Sequence, residues 1–180
     1  HCVPHAGFGM SGSVTVNVPA VPPSVSITNP SNALLAAPAA LTIGVSAIDP
    51  DGTVVSVQLL TNGVAGPTDS AAPFSFTLNN LSAGNYALRA RATDNQALNA
   101  TSTPVNIRVV NRPAIAIGRG SNDSFVLRFN TLSGINYIVE QSSGLTNFSA
   151  VSTNAGTGLP TEVAKTNAAP GQQFYRVRLQ

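Results

Sequence analysis

Tryptophan is absent from these 180 residues, and cysteine and methionine each occur once. A single cysteine excludes an internal disulfide framework. The two histidines are His1 and His5, so the rest of the chain has no imidazole for a Ser-His-Asp constellation. Charge is scarce. Charged residues make up 9 % of the sequence, against about a quarter in a typical globular chain. Nine basic and seven acidic residues leave a net charge of +2. The pI of about 9.1 therefore reflects few charges of either sign rather than a basic surface. No Lys/Arg cluster occurs, which points away from nucleic acid as a partner. No apolar run approaches the ~18 residues a membrane-spanning helix needs, so no membrane span is expected. Glu140 and Glu162 stand isolated in the sequence, and nothing supports a glycosidase-type carboxylate pair. What remains is Ala, Ser, Thr, Asn, Val, Gly and Pro, a vocabulary of strands and turns that predicts an all-β chain.

Punctuation divides the chain. Pro19-Ala20-Val21-Pro22-Pro23 cannot continue a hydrogen-bonded ladder and reads as a stiff linker, 19–23. Asn111-Arg112-Pro113 marks a second one, 111–113. From 24 to 110 apolar residues alternate in short runs. Val25 and Ile27 form one face, followed by Leu41, Ile43, Val45 and Ala47. Val55, Val57 and Leu59 make the next, then Phe74, Phe76 and Leu78, then Tyr86, Leu88, Ala90 and Ala92, and last Val105, Ile107 and Val109. Asp49-Pro50-Asp51-Gly52 is a strong turn, and Asn62-Gly63 is a hairpin signal. About seven alternating strands over about 87 residues is the pattern of an immunoglobulin-like sandwich. Gly84-x-Tyr86 at a strand entry fits a tyrosine corner, in which the hydroxyl bonds back to upstream backbone. Two readings of Asp49, Asp51 and Asp94 stay open. The carboxylates could supply oxygen ligands to calcium at one end of the sandwich, or Asp49 and Asp51 form a turn while Asp94 caps the next one.

The pieces Ala47-x-Asp49-x-Asp51-Gly52, Val57-x-Leu59, Ala72-Pro73-Phe74-Ser75-Phe76, Gly84-x-Tyr86 and Ala90-x-Ala92-Thr93-Asp94-Asn95 resemble a family of bacterial Ig-like domains. That resemblance implies a spacer module of secreted enzymes and adhesins. Beyond Pro113, Phe125-x-Leu127-x-Phe129, the Gly134 turn, Tyr137-x-Val139-x-Gln141 and Phe174-Tyr175-Arg176-Val177 predict a small antiparallel β domain, 114–180. This stretch resembles a C-terminal module of exported bacterial proteins. Tyr86, Tyr137 and Tyr175 are read as core or corner residues. Location is expected to be secreted, periplasmic or at the cell surface.

The first dozen residues hold the sole Cys, the sole Met and both His. A thiolate, an imidazole and a thioether on one short loop suit a soft, redox-active metal, and a His₂Cys set with a weak axial Met is the blue-copper arrangement. Zinc fits less well, since structural zinc sites use Cys and His. A stray thiol and a tag remnant are the plain alternatives for Cys2 and the histidines. Cys2-x-Pro4-His5-x-Gly7-x-Gly9-Met10-x-Gly12, followed by Val14-Thr15-Val16, resembles the C-terminal ligand loop and last strand of plastocyanin- and azurin-type cupredoxins. The resemblance, over 1–18, implies Cys2, His5 and Met10 as ligands of a type 1 copper, with one further His ligand outside this chain. The expectation is thus a C-terminal piece of an exported multidomain protein that transfers electrons to an unidentified redox partner. The competing expectation is a non-catalytic structural or adhesive protein that contacts a cell surface or polysaccharide. An enzymatic domain further upstream in the parent is a third. No catalytic residue is assigned within the chain itself.

Overall fold

The computed structural model describes residues 19–120, 124–166 and 172–180. Every regular element among them is a β-strand. The cupredoxin-like stretch 1–18, with Cys2, His5 and Met10, lies outside the described residues.

The first half is a sandwich. One three-stranded sheet has the order β1 (Ser24–Asn29), β3 (Ala39–Ile48), β6 (Ser75–Leu81). The facing sheet runs β2 (Ala33–Ala36), β9 (Val105–Val110), β7 (Gly84–Asp94), β4 (Val54–Thr61), β5 (Val64–Asp69), with β8 (Asn99–Thr101) paired to β7. Period-two alternation sends one face of each strand inward. Ile43 and Val45 from β3 and Phe76 from β6 meet Val57 and Leu59 from β4, Leu88, Ala90 and Ala92 from β7, and Ile107 and Val109 from β9. Complete burial of one such aliphatic or Phe side chain contributes about 1.5–3 kcal/mol. This apolar layer holds the two sheets together without a disulfide.

Two local features behave as the sequence predicts. Asn62 and Gly63 form the two-residue β4–β5 hairpin loop, both with positive φ (52° and 81°). The Tyr86 hydroxyl donates to the Ser82 carbonyl at 2.8 Å, closing the corner at the entry to β7. Two features differ. Val55 does not share the inward face of Val57 and Leu59. The ladder between β4 and β7 slips a register between Val54 and Ser56. The extra residue turns Val55 outward, where it is 44 % exposed, while Val54 packs on the core. The strands β2 and β8 were not expected as separate elements, because they are short and lack an alternating apolar stripe. Of these, β2 is the unusual one. It pairs in parallel with β9, Ala33 opposite Ile107 through Ala36 opposite Val110.

The second half contains two further three-stranded sheets. One has the order β10 (Ile115–Arg119), β11 (Ser124–Asn130), β14 (Pro160–Thr166), and the other β13 (Ser149–Ala155), β12 (Asn136–Ser142), β15 (Phe174–Leu179). Leu127 and Phe129 from β11, Tyr137 and Val139 from β12, and Val163 from β14 form a second buried cluster, joined by Ile135 and Val110. Leu34 from β2 also packs against it. Phe129 and Tyr137 approach to 5.7 Å between ring centroids, and Phe125 meets Tyr175 edge to face at 5.0 Å. The Tyr137 hydroxyl accepts from the Leu132 N–H at 2.9 Å, so its buried polar end is satisfied.

Candidate functional site

The concentration of polar groups that sequence reading singled out lies at one end of the sandwich. The β3–β4 turn supplies Asp49, Asp51 and Gly52, and the end of β7 with the turn behind it supplies Asp94 and Asn95. The two turns are tied by backbone. The Asn95 N–H donates to the Thr53 carbonyl at 3.0 Å, and the Thr53 N–H donates back to Asn95 Oδ1 at 2.8 Å. Asp94 caps its own turn, since Oδ1 accepts from the N–H groups of Gln96 and Leu98, both at 2.8 Å. Asp49 Oδ1 takes the Asp51 N–H at 3.5 Å, a long Asx-turn contact. Asp51 Oδ2 accepts from the Val21 N–H, at 3.1 Å, and from the Gln96 amide, at 3.4 Å. The linker entering the sandwich is thereby fastened to this turn.

The turn-and-cap reading accounts for one oxygen of Asp49 and one of Asp94. It leaves the other oxygen of each without a partner. Asp49 Oδ2 and Asp94 Oδ2 are both buried and accept no hydrogen bond. Asp94 as a residue is only 2 % exposed. Burial pushes the Asp49 carboxyl above its ordinary value; the Asp51 N–H opposes this, while the Asp51 side chain and the charges of Asp51 and Asp94 add to the rise. Asp69 shows what an ordinary turn acceptor looks like. Both of its oxygens are used, by the N–H groups of Ala71 and Ser75, at 3.1 Å and 3.0 Å. The Ser75 and Ala71 N–H groups hold its carboxyl below the usual value. Among the described residues, no three His, Cys, Asp or Glu side chains come together as a ready metal-holding group.

A second polar arrangement escaped sequence reading. Glu140 is not isolated. It is 6 % exposed on β12, with Arg176 Nε at 2.5 Å and Arg178 Nε at 3.3 Å. The signal was the alternation of Arg176 and Arg178 on β15. The antiparallel register sets Glu140 opposite Arg176 and Ile138 opposite Arg178, on one face. Arg176, chiefly, holds the Glu140 carboxyl below its ordinary value against the opposing effect of burial, with Arg178 adding to it. Arg176 also stacks over the Phe148 ring at 4.2 Å. Glu162 likewise has a partner, Arg128 Nε at 2.5 Å. Each carboxylate is neutralised by arginine, which suits a structural pair rather than a proton donor. A cleft of about 480 Å³ opens where β9 runs into the second half, lined by Asn85, Arg108, Arg112, Asn130, Thr131 and Tyr137 among others. The described residues lining it include no carboxylate, histidine or cysteine.

No helix among the described residues is long and apolar enough to cross a membrane. No curated protein matches the chain. Among solved structures, the fibronectin(III)-like modules of CbhA from Clostridium thermocellum align with 48 % of this chain and 94 % of their own, at 20 % identity and a TM-score of 0.45. Chitinase ChiA74 from Bacillus thuringiensis aligns with 88 % of this chain, which spans 29 % of that protein, at 16 % identity and a TM-score of 0.36. A bacterial ice-binding adhesin aligns with 89 % of this chain and 64 % of its own, at 12 % identity and a TM-score of 0.35. The sequence itself carries the more specific match: residues 23–90, most of the sandwich, fit the family model described as a bacterial Ig domain.

Proposed function

We propose that this chain is a non-catalytic structural segment of an exported bacterial multidomain protein. In this reading the sandwich at 24–110 and the small β domain at 114–180 are spacers that carry tension between neighbouring parts, with 19–23 and 111–113 as linkers. The parallel pairing of β2 with β9 carries the reading. Tension from the linker meets β1 first, which pairs with β3; once β1 has come away, it enters β2 at its start and leaves β9 at its end. Because the strands are parallel, pulling the ends apart slides one along the other and loads their hydrogen bonds together rather than one by one. Two contacts extend the pairing. The Ala37 N–H donates to the Val110 carbonyl at 2.8 Å. At the other end the Asn106 N–H donates to Asn32 Oδ1 at 2.7 Å. The bacterial Ig match over 23–90 supports the same reading. So does the sparse charge of the whole chain, which suits an inert exported module. A cell surface or polysaccharide is the contact such a spacer would face. The test is to stretch the protein by its ends in a single-molecule force instrument. The sandwich should give way in one discrete event that lengthens the chain by about 250 Å, from ~3.4 Å per released residue. Smooth extension with no force peak would overturn the proposal.

A second reading rests on the spacing of Cys2, His5 and Met10 alone. These three would hold a type 1 copper in the parent protein, with one His supplied from upstream. Bound copper would supply one-electron transfer with little ligand movement, the thiolate coupling strongly to the metal and the thioether tuning its potential. The parent, loaded with Cu(II), should then absorb strongly in the visible, and Cys2→Ser should abolish the colour. A colourless parent, or colour that survives the substitution, removes this reading.

A further inference from the structure

We infer that the end of the sandwich where the β3–β4 and β7–β8 turns meet is a calcium site, with Asp49 Oδ2, Asp94 Oδ2 and Asn95 Oδ1 as its protein ligands. The orphaned oxygens are the first ground. An unpaired carboxylate oxygen buried away from water is costly, and here two occur on facing turns. One belongs to a side chain that is otherwise fully engaged and 98 % shielded, being 2 % exposed. Hydrogen bonds within the turns use the other oxygens and do not reach these two. The second ground is the space beside Asp49 Oδ2. A Cβ added at Gly52 would lie 2.2 Å from Asn95 Oδ1 and 2.6 Å from Asp49 Oδ2, so both atoms border one small cradle that glycine leaves open. The third is chemistry. The donors are all oxygen, with no thiolate or imidazole among them, which selects a hard cation. Calcium accepts carboxylate, amide carbonyl and water together in a flexible shell, whereas magnesium demands a near-ideal octahedron. Two carboxylates match its charge. Asn95 Oδ1 already accepts the Thr53 N–H and keeps a second lone pair for the ion. Two carboxylates rather than three place the site in the weak range of extracellular modules, with Kd of about 10⁻⁴–10⁻³ M.

An ion here would staple the two turns across the sheets. It would also firm the turn that holds the Val21 N–H through Asp51. The site therefore adds to the spacer reading a means of setting stiffness where the linker enters, but it stands on its own geometry and survives if the spacer reading fails.

The experiment is calorimetric titration and thermal melting of the 180-residue protein, stripped with chelator, at pH 7. Calcium chloride is compared with sodium chloride of equal ionic strength. Calcium should bind at one site per chain and, at about 10 mM, raise the melting midpoint by roughly 5–20 °C. Asp49→Asn and Asp94→Asn should each weaken binding at least tenfold. Both keep the Oδ1 acceptor that the turn uses, so both variants should fold. Asp49→Asn should in addition melt higher than the parent without calcium, because it removes a crowded negative charge. That reversal would not follow if the aspartates only shaped the turns. The proposal is overturned if calcium gives no heat and no shift beyond the sodium control, or if both variants respond as the parent does.

Discussion

Asn62 is the residue on which the β4–β5 hairpin should turn, and its replacement separates two effects that usually act together. Its backbone sits at a φ of 52°. Its side chain bridges to β7, with Nδ2 donating to the Asn85 carbonyl at 3.2 Å and Oδ1 accepting the Ala87 N–H at 2.8 Å. Asn62→Ala loses both bonds, worth about 1–2 kcal/mol together at a solvent-accessible site. It also forces an alanine into the left-handed region, for about 1 kcal/mol more. The sum is about 2–3 kcal/mol. Asn62→Gly loses the same bonds but relieves the backbone, offset by the greater freedom of glycine in the unfolded chain, and should cost about 1–2 kcal/mol. The order is the prediction: alanine worse than glycine by about 1 kcal/mol. Urea unfolding followed by far-ultraviolet circular dichroism measures it, tryptophan fluorescence being absent from the sequence. If alanine proves as stable as glycine, the positive φ does not govern this turn. If both variants equal the parent, the bridge to β7 contributes nothing.

Three further outcomes follow from the same geometry. Leu127, fully buried in the second cluster, should lose about 2–5 kcal/mol on change to alanine; calorimetry should show the loss in the transition of 114–180, with that of 24–110 little moved if the two clusters unfold separately. Tyr86→Phe removes the bond to the Ser82 carbonyl and the longer 3.5 Å contact with the Ser82 hydroxyl, and should cost about 1 kcal/mol by urea unfolding. Glu140 has a carboxyl held below its ordinary value of 4.5, first by Arg176. Its contribution to stability is complete above that value and is lost as pH falls through the lower folded value. The urea midpoint should therefore drop in that acid window, and Glu140→Gln should flatten this part of the profile while lowering the midpoint at pH 7.

The parts of the fold that a reader of the sequence could see are those governed by local rules. Ile43 and Val45, Leu88 and Ala90, and Ile107 and Val109 each flank a less buried residue, Gly44, Arg89 and Arg108, and period two alone places them. Asn62-Gly63 declared its hairpin through backbone chemistry. What stayed hidden depends on pairing across the chain. The four residues of β2 carry no stripe and become a strand only because β9 offers them a parallel edge. Val55 looked inward until the slip in the β4–β7 ladder turned it out. Glu140 looked solitary because its partners lie 36 and 38 positions away. At the candidate site, Asp49, Asp51 and Asp94 were legible as a group. That Asp51 also ties down the linker and that Asn95 Oδ1 joins Asp49 Oδ2 at Gly52 was not, since side-chain direction in a turn follows from tertiary contacts. The Cys2, His5 and Met10 spacing remains a reading of sequence, outside the described residues.

The spacer account is tested most directly by pulling the same sandwich along two directions. In a Cys2→Ser background, one form is held by its chain ends, which draws β1 off β3 and then slides β2 along β9. The other is held through Ser31→Cys and Thr103→Cys, just ahead of the paired ends where Ala33 faces Ile107, so that the pairing opens one bond at a time. The account predicts an unfolding force several-fold higher for the end-held form. Equal forces in the two directions would contradict it.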